Sequence, residues 1–233
     1  KIKNMILYNK SKHENLKFKF NHSEEIEQNY SQAYQDMFVL SMLNGKKNGT
    51  FLEIGAWNPT FLNNSFLLEN KFGWNGISID IEPGIEQQHK NSRNNIFILD
   101  NALTINYEQL VKKHNFPNQI DYLSLDIEPH SKTLTCLKLL PLDKYRFSVI
   151  TFETDFYDKI SEGEEMCHKV RNESRELLLS KGYVLIAGNI CNVTNEDAFE
   201  DWYVDPSVIS EDIYKKFQII DEFNKPGEQL FLL

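Results

Sequence analysis

From residue 50 onward the chain alternates short apolar runs with longer amphipathic stretches. The runs at 50–54, 76–80, 96–99, 120–125, 147–152 and 183–187 are strand-sized, rich in Ile, Val, Phe and Leu, and bounded by polar or glycine-containing turns. Between them, residues 64–71, 84–92, 107–113, 131–140 and 170–180 carry the wider spacing of helices with one apolar face. A further helix is predicted ahead of the first strand. It starts near Tyr30 with Ser31 as N-cap, places Tyr34, Met37, Phe38 and Met42 on one face, and stops at Asn44-Gly45. Strand and helix in strict alternation predict an α/β domain built on a mainly parallel sheet.

Both ends of the chain depart from this rhythm. Residues 1–29 are polar and read as a loosely attached N-terminal arm, leaving 30–233 as the folded domain. At the other end, the apolar runs 217–220 and 229–233 flank Asn224-Lys225-Pro226-Gly227-Glu228 and predict an antiparallel pair at the sheet edge. Residues 189–210, acidic and aromatic, read as a long loop of the kind that carries function.

Composition narrows the function classes. The 233 residues hold 25 Lys and Arg against 34 Asp and Glu, a net charge of −9, which speaks against a nucleic-acid partner. No apolar run approaches the ~20 residues of a membrane span. The three cysteines, Cys136, Cys167 and Cys191, form no C-x-x-C pair, so neither a disulfide framework nor a zinc site is expected, and a cytoplasmic setting follows.

In an open α/β sheet, ligands bind outside the carboxyl ends of the strands. The first strand ends in Glu53-Ile54-Gly55-Ala56, where Gly55 allows a tight turn and a close backbone approach to a ligand. Neither G-x-G-x-x-G nor G-x-x-x-x-G-K is present, which argues against a dinucleotide or triphosphate ligand and an NAD-dependent dehydrogenase. The second strand ends at Asp80, placed to accept hydrogen bonds from two ribose hydroxyls. The third ends at Asp100-Asn101, where an adenine edge could be read. Glu53, Gly55, Ala56, Asp80, Asp100 and Asn101 are therefore the expected nucleoside-binding set.

These residues, with several others, carry a resemblance to the FkbM-type methyltransferases. Ser31-Gln32-Ala33-Tyr34-Gln35-Asp36, the glycine turn, Gly73-Trp74-Asn75-Gly76, Asp126-Ile127-Glu128 at the end of the fourth strand, Glu153 with Asp155, Arg171-Asn172-Glu173-Ser174-Arg175, and Glu200-Asp201-Trp202-Tyr203 follow in the family's order. The resemblance implies a doubly wound, mostly parallel Rossmann-like methyltransferase sheet with an antiparallel C-terminal strand pair. It also implies S-adenosylmethionine as cofactor and O-methylation of a small molecule, a carbohydrate or glycoside. The chain departs from the family in lacking a second glycine after Gly55, where it reads Ala56-Trp57-Asn58-Pro59, and in following Glu128 with Pro129-His130. A non-catalytic nucleotide- or glycan-binding domain on the same fold is the alternative.

For methyl transfer to a hydroxyl, the expected catalytic residues are His130, whose ordinary pKa suits a general base, with Asp126, Glu128 and Glu153. Asp126, Glu153 and Asp155 offer hard oxygen ligands for Mg²⁺. Glu200, Asp201, Trp202 and Tyr203 are expected at the border of the acceptor site.

Overall fold

The computed structural model describes residues 8–191, 197–219 and 224–233. Eight strands form one sheet: β1 (Thr50–Ile54), β2 (Asn75–Asp80), β3 (Ile96–Leu99), β4 (Gln119–Leu125), β5 (Arg146–Glu153), β6 (Val184–Cys191), β7 (Glu200–Val204) and β8 (Lys225–Pro226), in the order β3-β2-β1-β4-β5-β7-β6-β8. β1 pairs in parallel with β2 and β4, and the parallel run continues to β3 on one side and β5 on the other. β7 is antiparallel to both β5 and β6. This is a doubly wound, mostly parallel Rossmann-like sheet, as the resemblance implies. The chain winds outward from β1 in one direction and then from β4 in the other, so the switch point lies between the carboxyl ends of β1 and β4.

Helices cover both faces. On one lie α1 (Gln35–Met42) and α2 (Phe66–Phe72), which share an apolar core with Phe51, Tyr122 and Trp202. On the other lie α4 (Tyr107–Lys113), α5 (His130–Leu139) and α6 (Glu164–Ser180), packed on Leu52, Ile77, Leu123 and Ile150. α3 (Glu86–Ser92) joins β2 to β3. Two short helices, α7 (Glu211–Tyr214) and α8 (Gly227–Phe231), follow β7. Because each central strand is covered on both sides, its sequence is nearly continuously apolar.

Three expectations are corrected. α1 begins at Gln35 rather than near Tyr30, because Asp36 accepts hydrogen bonds from the Tyr30 and Ser31 amides and the Ser31 hydroxyl, which hold the preceding residues as a cap loop. The antiparallel pair near the C-terminus is β6 with β7, and β7 arises from the segment read as a loop. Residues 227–231 are helical and Ile219 makes only an isolated bridge to Ala187; residue 220 and residues 192–196 lie outside the described residues. Nor is the N-terminal segment loose. Tyr8, Leu16, Phe20 and Ile26 are buried in the α1 core, and the Lys17 amide donates to Phe231 O at 2.8 Å. Residues 1–7 of the expected arm are not among those described. Among the described residues no helix is long and apolar enough to cross a membrane, and Cys136, Cys167 and Cys191 are buried.

Candidate active site

The turn after β1 is built on close contact. Gly55 has φ 86, and a Cβ there would fall 1.5 Å from the Asp126 carbonyl oxygen. Only glycine fits where the ends of β1 and β4 meet. The resulting cleft is lined by Gln32, Glu53, Gly55, Ala56, Trp57, Asn63, Asn64, Ser124 and Asp126.

On the β1–β2–β3 side, the acids expected to hold a nucleoside already have protein partners. Glu53 is buried and accepts from Ser65 Oγ at 2.9 Å and Ser78 Oγ at 2.6 Å. Ser65 in turn accepts from Arg93, whose buried guanidinium also reaches Pro59 O, Asn63 Oδ1 and Glu69. Asp80 accepts from the amides of Trp57 and Glu82, each at 2.8 Å. Asp100 and Asn101 lie exposed at the end of β3, where Asp100 Oδ1 accepts from the Asn101 amide and Asn101 Oδ1 from Leu103. Gly55, Ala56 and Glu53 thus line the cleft, whereas Asp80, Asp100 and Asn101 are not among the residues that line it. Sequence reasoning missed Arg93 and Asn63, since a polar side chain on the β2–β3 connection gives no linear sign that it folds back onto the β1 loop. It also missed Asn64, whose Nδ2 donates to Ser124 Oγ at 3.0 Å while its Oδ1 is buried without a partner.

On the β4–β5 side the acids face one another. Burial pushes Asp126 above the usual carboxylate range, and Glu153 well above it, the latter also raised by the nearby charge of Asp126. An ionised Glu153 would leave Oε2 buried with no donor; protonated, it donates to Asp126. Asp155 is buried, and desolvation followed by the charges of Glu128 and Asp126 raises it to about 8. Glu128, at the rim, is raised by burial and by Asp126. Glu128, Glu153 and Asp155 bring one carboxylate oxygen each within 4.8 Å of one another. Glu153 and Asp155 of the expected metal set thus group with Glu128, while Asp126 shares a hydrogen bond with Glu153.

His130 does not join them as an open base. Its ring is fully buried at the start of α5, with Nε2 3.2 Å from Glu162 and 3.9 Å from Cys167 Sγ. The acceptor-border expectation is corrected as well, because Glu200, Asp201, Trp202 and Tyr203 form β7 and are all buried. Trp202 stacks on Phe38 with centroids 4.6 Å apart, and Asp201 pairs with Arg175 at 2.6 Å. Glu200 lies beside Glu153 in the sheet register and accepts from Trp202 Nε1 at 2.7 Å; burial raises its carboxyl to about 8.

No protein-family model matches the chain. No curated protein matches it either. Among solved structures, fibrillarin of Aeropyrum pernix with natively bound S-adenosyl-L-methionine is similar over 80% of this chain and 81% of its own, at 12% identity and a TM-score of 0.48. The SAH-bound Podospora anserina methyltransferase PaMTH1 is similar over 79% and 82%, at 11% identity and a TM-score of 0.49. The N-methyltransferase NodS of Bradyrhizobium japonicum WM9 in complex with S-adenosyl-L-homocysteine is similar over 74% and 85%, at 12% identity and a TM-score of 0.43.

Proposed function

We propose that this chain transfers the methyl group of S-adenosylmethionine to a hydroxyl of a small molecule, a carbohydrate or glycoside, as its motif resemblance to the FkbM-type methyltransferases implies. The observation that carries the proposal is the juxtaposition at the switch point: a glycine turn pressed against Asp126, beside a group of carboxyls whose charges repel one another. The donor set suits the cofactor. Glu53, Asn64, Ser124 and Gln32 line a polar cleft whose Asn64 Oδ1 lacks a partner, and Asp80, Asp100 and Asn101 follow along the strand ends. When bound, the sulfonium supplies an electrophilic methyl group.

The chain's own residues would then orient the acceptor and take its proton. Asp155, buried beside the glutamates and held near neutrality, is suited to general-base work. Alignment of the acceptor oxygen supplies much of the remaining rate. The set of Glu128, Glu153 and Asp155 favours a second version in which these three carboxylates would hold Mg²⁺, whose chemistry there would be Lewis-acid polarisation of an acceptor hydroxyl. A cytoplasmic setting and a neutral sugar acceptor complete the reading.

Isothermal calorimetry decides the first step, with expected heats for both S-adenosylmethionine and S-adenosylhomocysteine. No heat at millimolar ligand rejects the cofactor. Binding without transfer of radiolabelled methyl to any of a panel of sugars and glycosides leaves a non-catalytic binding domain. Transfer that survives exhaustive chelation removes the metal version.

A further inference from the structure

Trp57 combines a costly backbone with an exposed side chain. Two bulky residues in the loop after β1 have left-handed backbone, Trp57 at φ 38 and Leu62 at φ 53, and both line the cleft. Large L side chains avoid this region, so surrounding contacts must hold it. For Trp57 those contacts come from the β2–β3 connection. Its amide donates to Asp80 Oδ2 at 2.8 Å, and its carbonyl accepts from His89 Nε2 at 2.9 Å. Burial favours the neutral form of His89, so the proton on that ring belongs on Nε2, and the ring itself stacks on Phe97 with centroids 4.3 Å apart. On either side, Asn63 Nδ2 donates to the carbonyls of Ala56 and Asn58, and Arg93 holds Pro59 O.

All this fixes the main chain, yet the indole is 54% exposed, whereas Trp74 and Trp202 are core side chains at 2% and 0%. A braced, strained backbone that presents a large aromatic face at the mouth of a polar cleft is what stacking on a planar ligand requires. Its position along the sheet edge indicates which ligand. Trp57 is tied to Asp80, between the Gly55–Asp126 contact and the exposed Asp100-Asn101 end of β3. A nucleoside lying along the strand ends passes this point, whereas the carboxyl cluster belongs to the β4–β5 side.

We propose that Trp57 is a stacking platform for the adenine of the adenosyl cofactor, positioned by Asp80 and His89. The inference rests on the cofactor reading above. It gives Asp80 a role in setting the indole, in place of a role confined to ribose.

The chain has three tryptophans, and only this one is exposed, so acrylamide quenching of intrinsic fluorescence reports on it without any substitution. Saturating S-adenosylhomocysteine, and adenosine alone, are expected to shield the quenchable component. Trp57→Ala should remove that component and weaken S-adenosylhomocysteine binding by about ten-fold in calorimetry, and Trp57→Phe should restore most of the affinity. Quenching that is unchanged in the saturated native complex overturns the proposal, as does native affinity in Trp57→Ala, and in both cases the cofactor reading stands. Absence of any heat with the native chain removes the cofactor reading and this proposal together.

Discussion

The two halves of the cleft solve the problem of buried charge in opposite ways. On the β1–β2–β3 side every acid is answered: Glu53 by two serine hydroxyls, Glu69 by Arg93, Asp80 by two backbone amides. On the β4–β5–β7 side, Asp126, Glu153 and Asp155 face one another, Glu200 beside them is held by Trp202 Nε1, and burial moves all four toward the neutral form. The first arrangement gives a frame in which the carboxylate oxygens are held by hydroxyl, guanidinium and amide donors. The second gives groups that take up and release protons near neutrality. Fixed hydrogen-bonded acids and carboxyls raised by burial thus occupy different halves of one sheet edge.

The contrast can be broken most severely on the β1–β2–β3 side. Arg93→Ala removes the one cation that joins Glu69, Pro59, Asn63 and Ser65, and a buried ion pair robbed of a partner costs about 3–5 kcal/mol. Urea unfolding at pH 7 should show a loss of that size. A loss under about 1 kcal/mol would mean that the loop holds itself.

On the protonating side the effect is smaller and depends on pH. The carboxyl of Glu200 is raised to about 8, above its unfolded value. Its contribution to stability is therefore complete below about pH 4 and is lost as pH rises toward 8, at about 1.4 kcal/mol per unit. Glu200→Gln keeps an acceptor for Trp202 Nε1 and removes the titration. The variant should match the parent at pH 4 and exceed it at pH 9 by a few kcal/mol in thermal or urea unfolding, whereas parallel profiles would show that Glu200 is ionised throughout. Least disruptive is Glu128→Gln at the exposed rim. Removing that charge should lower the titration midpoint of Asp155 by less than about one unit, measurable by carbon-13 NMR of the side-chain carboxyls. An upward shift would contradict the repulsion between them.

The same contrast explains what could be read from the chain alone. Strands β1, β2, β4 and β5 were legible because a strand covered on both faces must be apolar along its length, and β3 and β6 by their short apolar runs alone. β7 was not, since Glu200 and Asp201 look like loop residues until Glu200 is found to accept from Trp202 Nε1 two residues on and Asp201 from Arg175 on α6. The acids at the strand ends could be located by position. Whether each faces ligand or protein could not, because Ser65, Ser78 and Arg93 reach them from other segments. His130 shows the same limit, since a residue beside the fourth strand end turns inward once Glu162 and Cys167 meet its ring.

The clasp between the two ends of the described chain has a kinetic side. Leu16 bridges Leu232, and Gly227 packs so tightly on Ala33 that a Cβ would fall 2.0 Å from its carbonyl oxygen. Gln32, in the wall of the cleft, is the residue before Ala33. That wall is thus braced by contacts spanning about 200 residues, and closing a loop of this length carries an entropic cost that local strand pairing does not. Assembly of the sheet can run ahead of assembly of the cleft, which makes ligand binding a late reporter of folding and an early casualty of local unfolding.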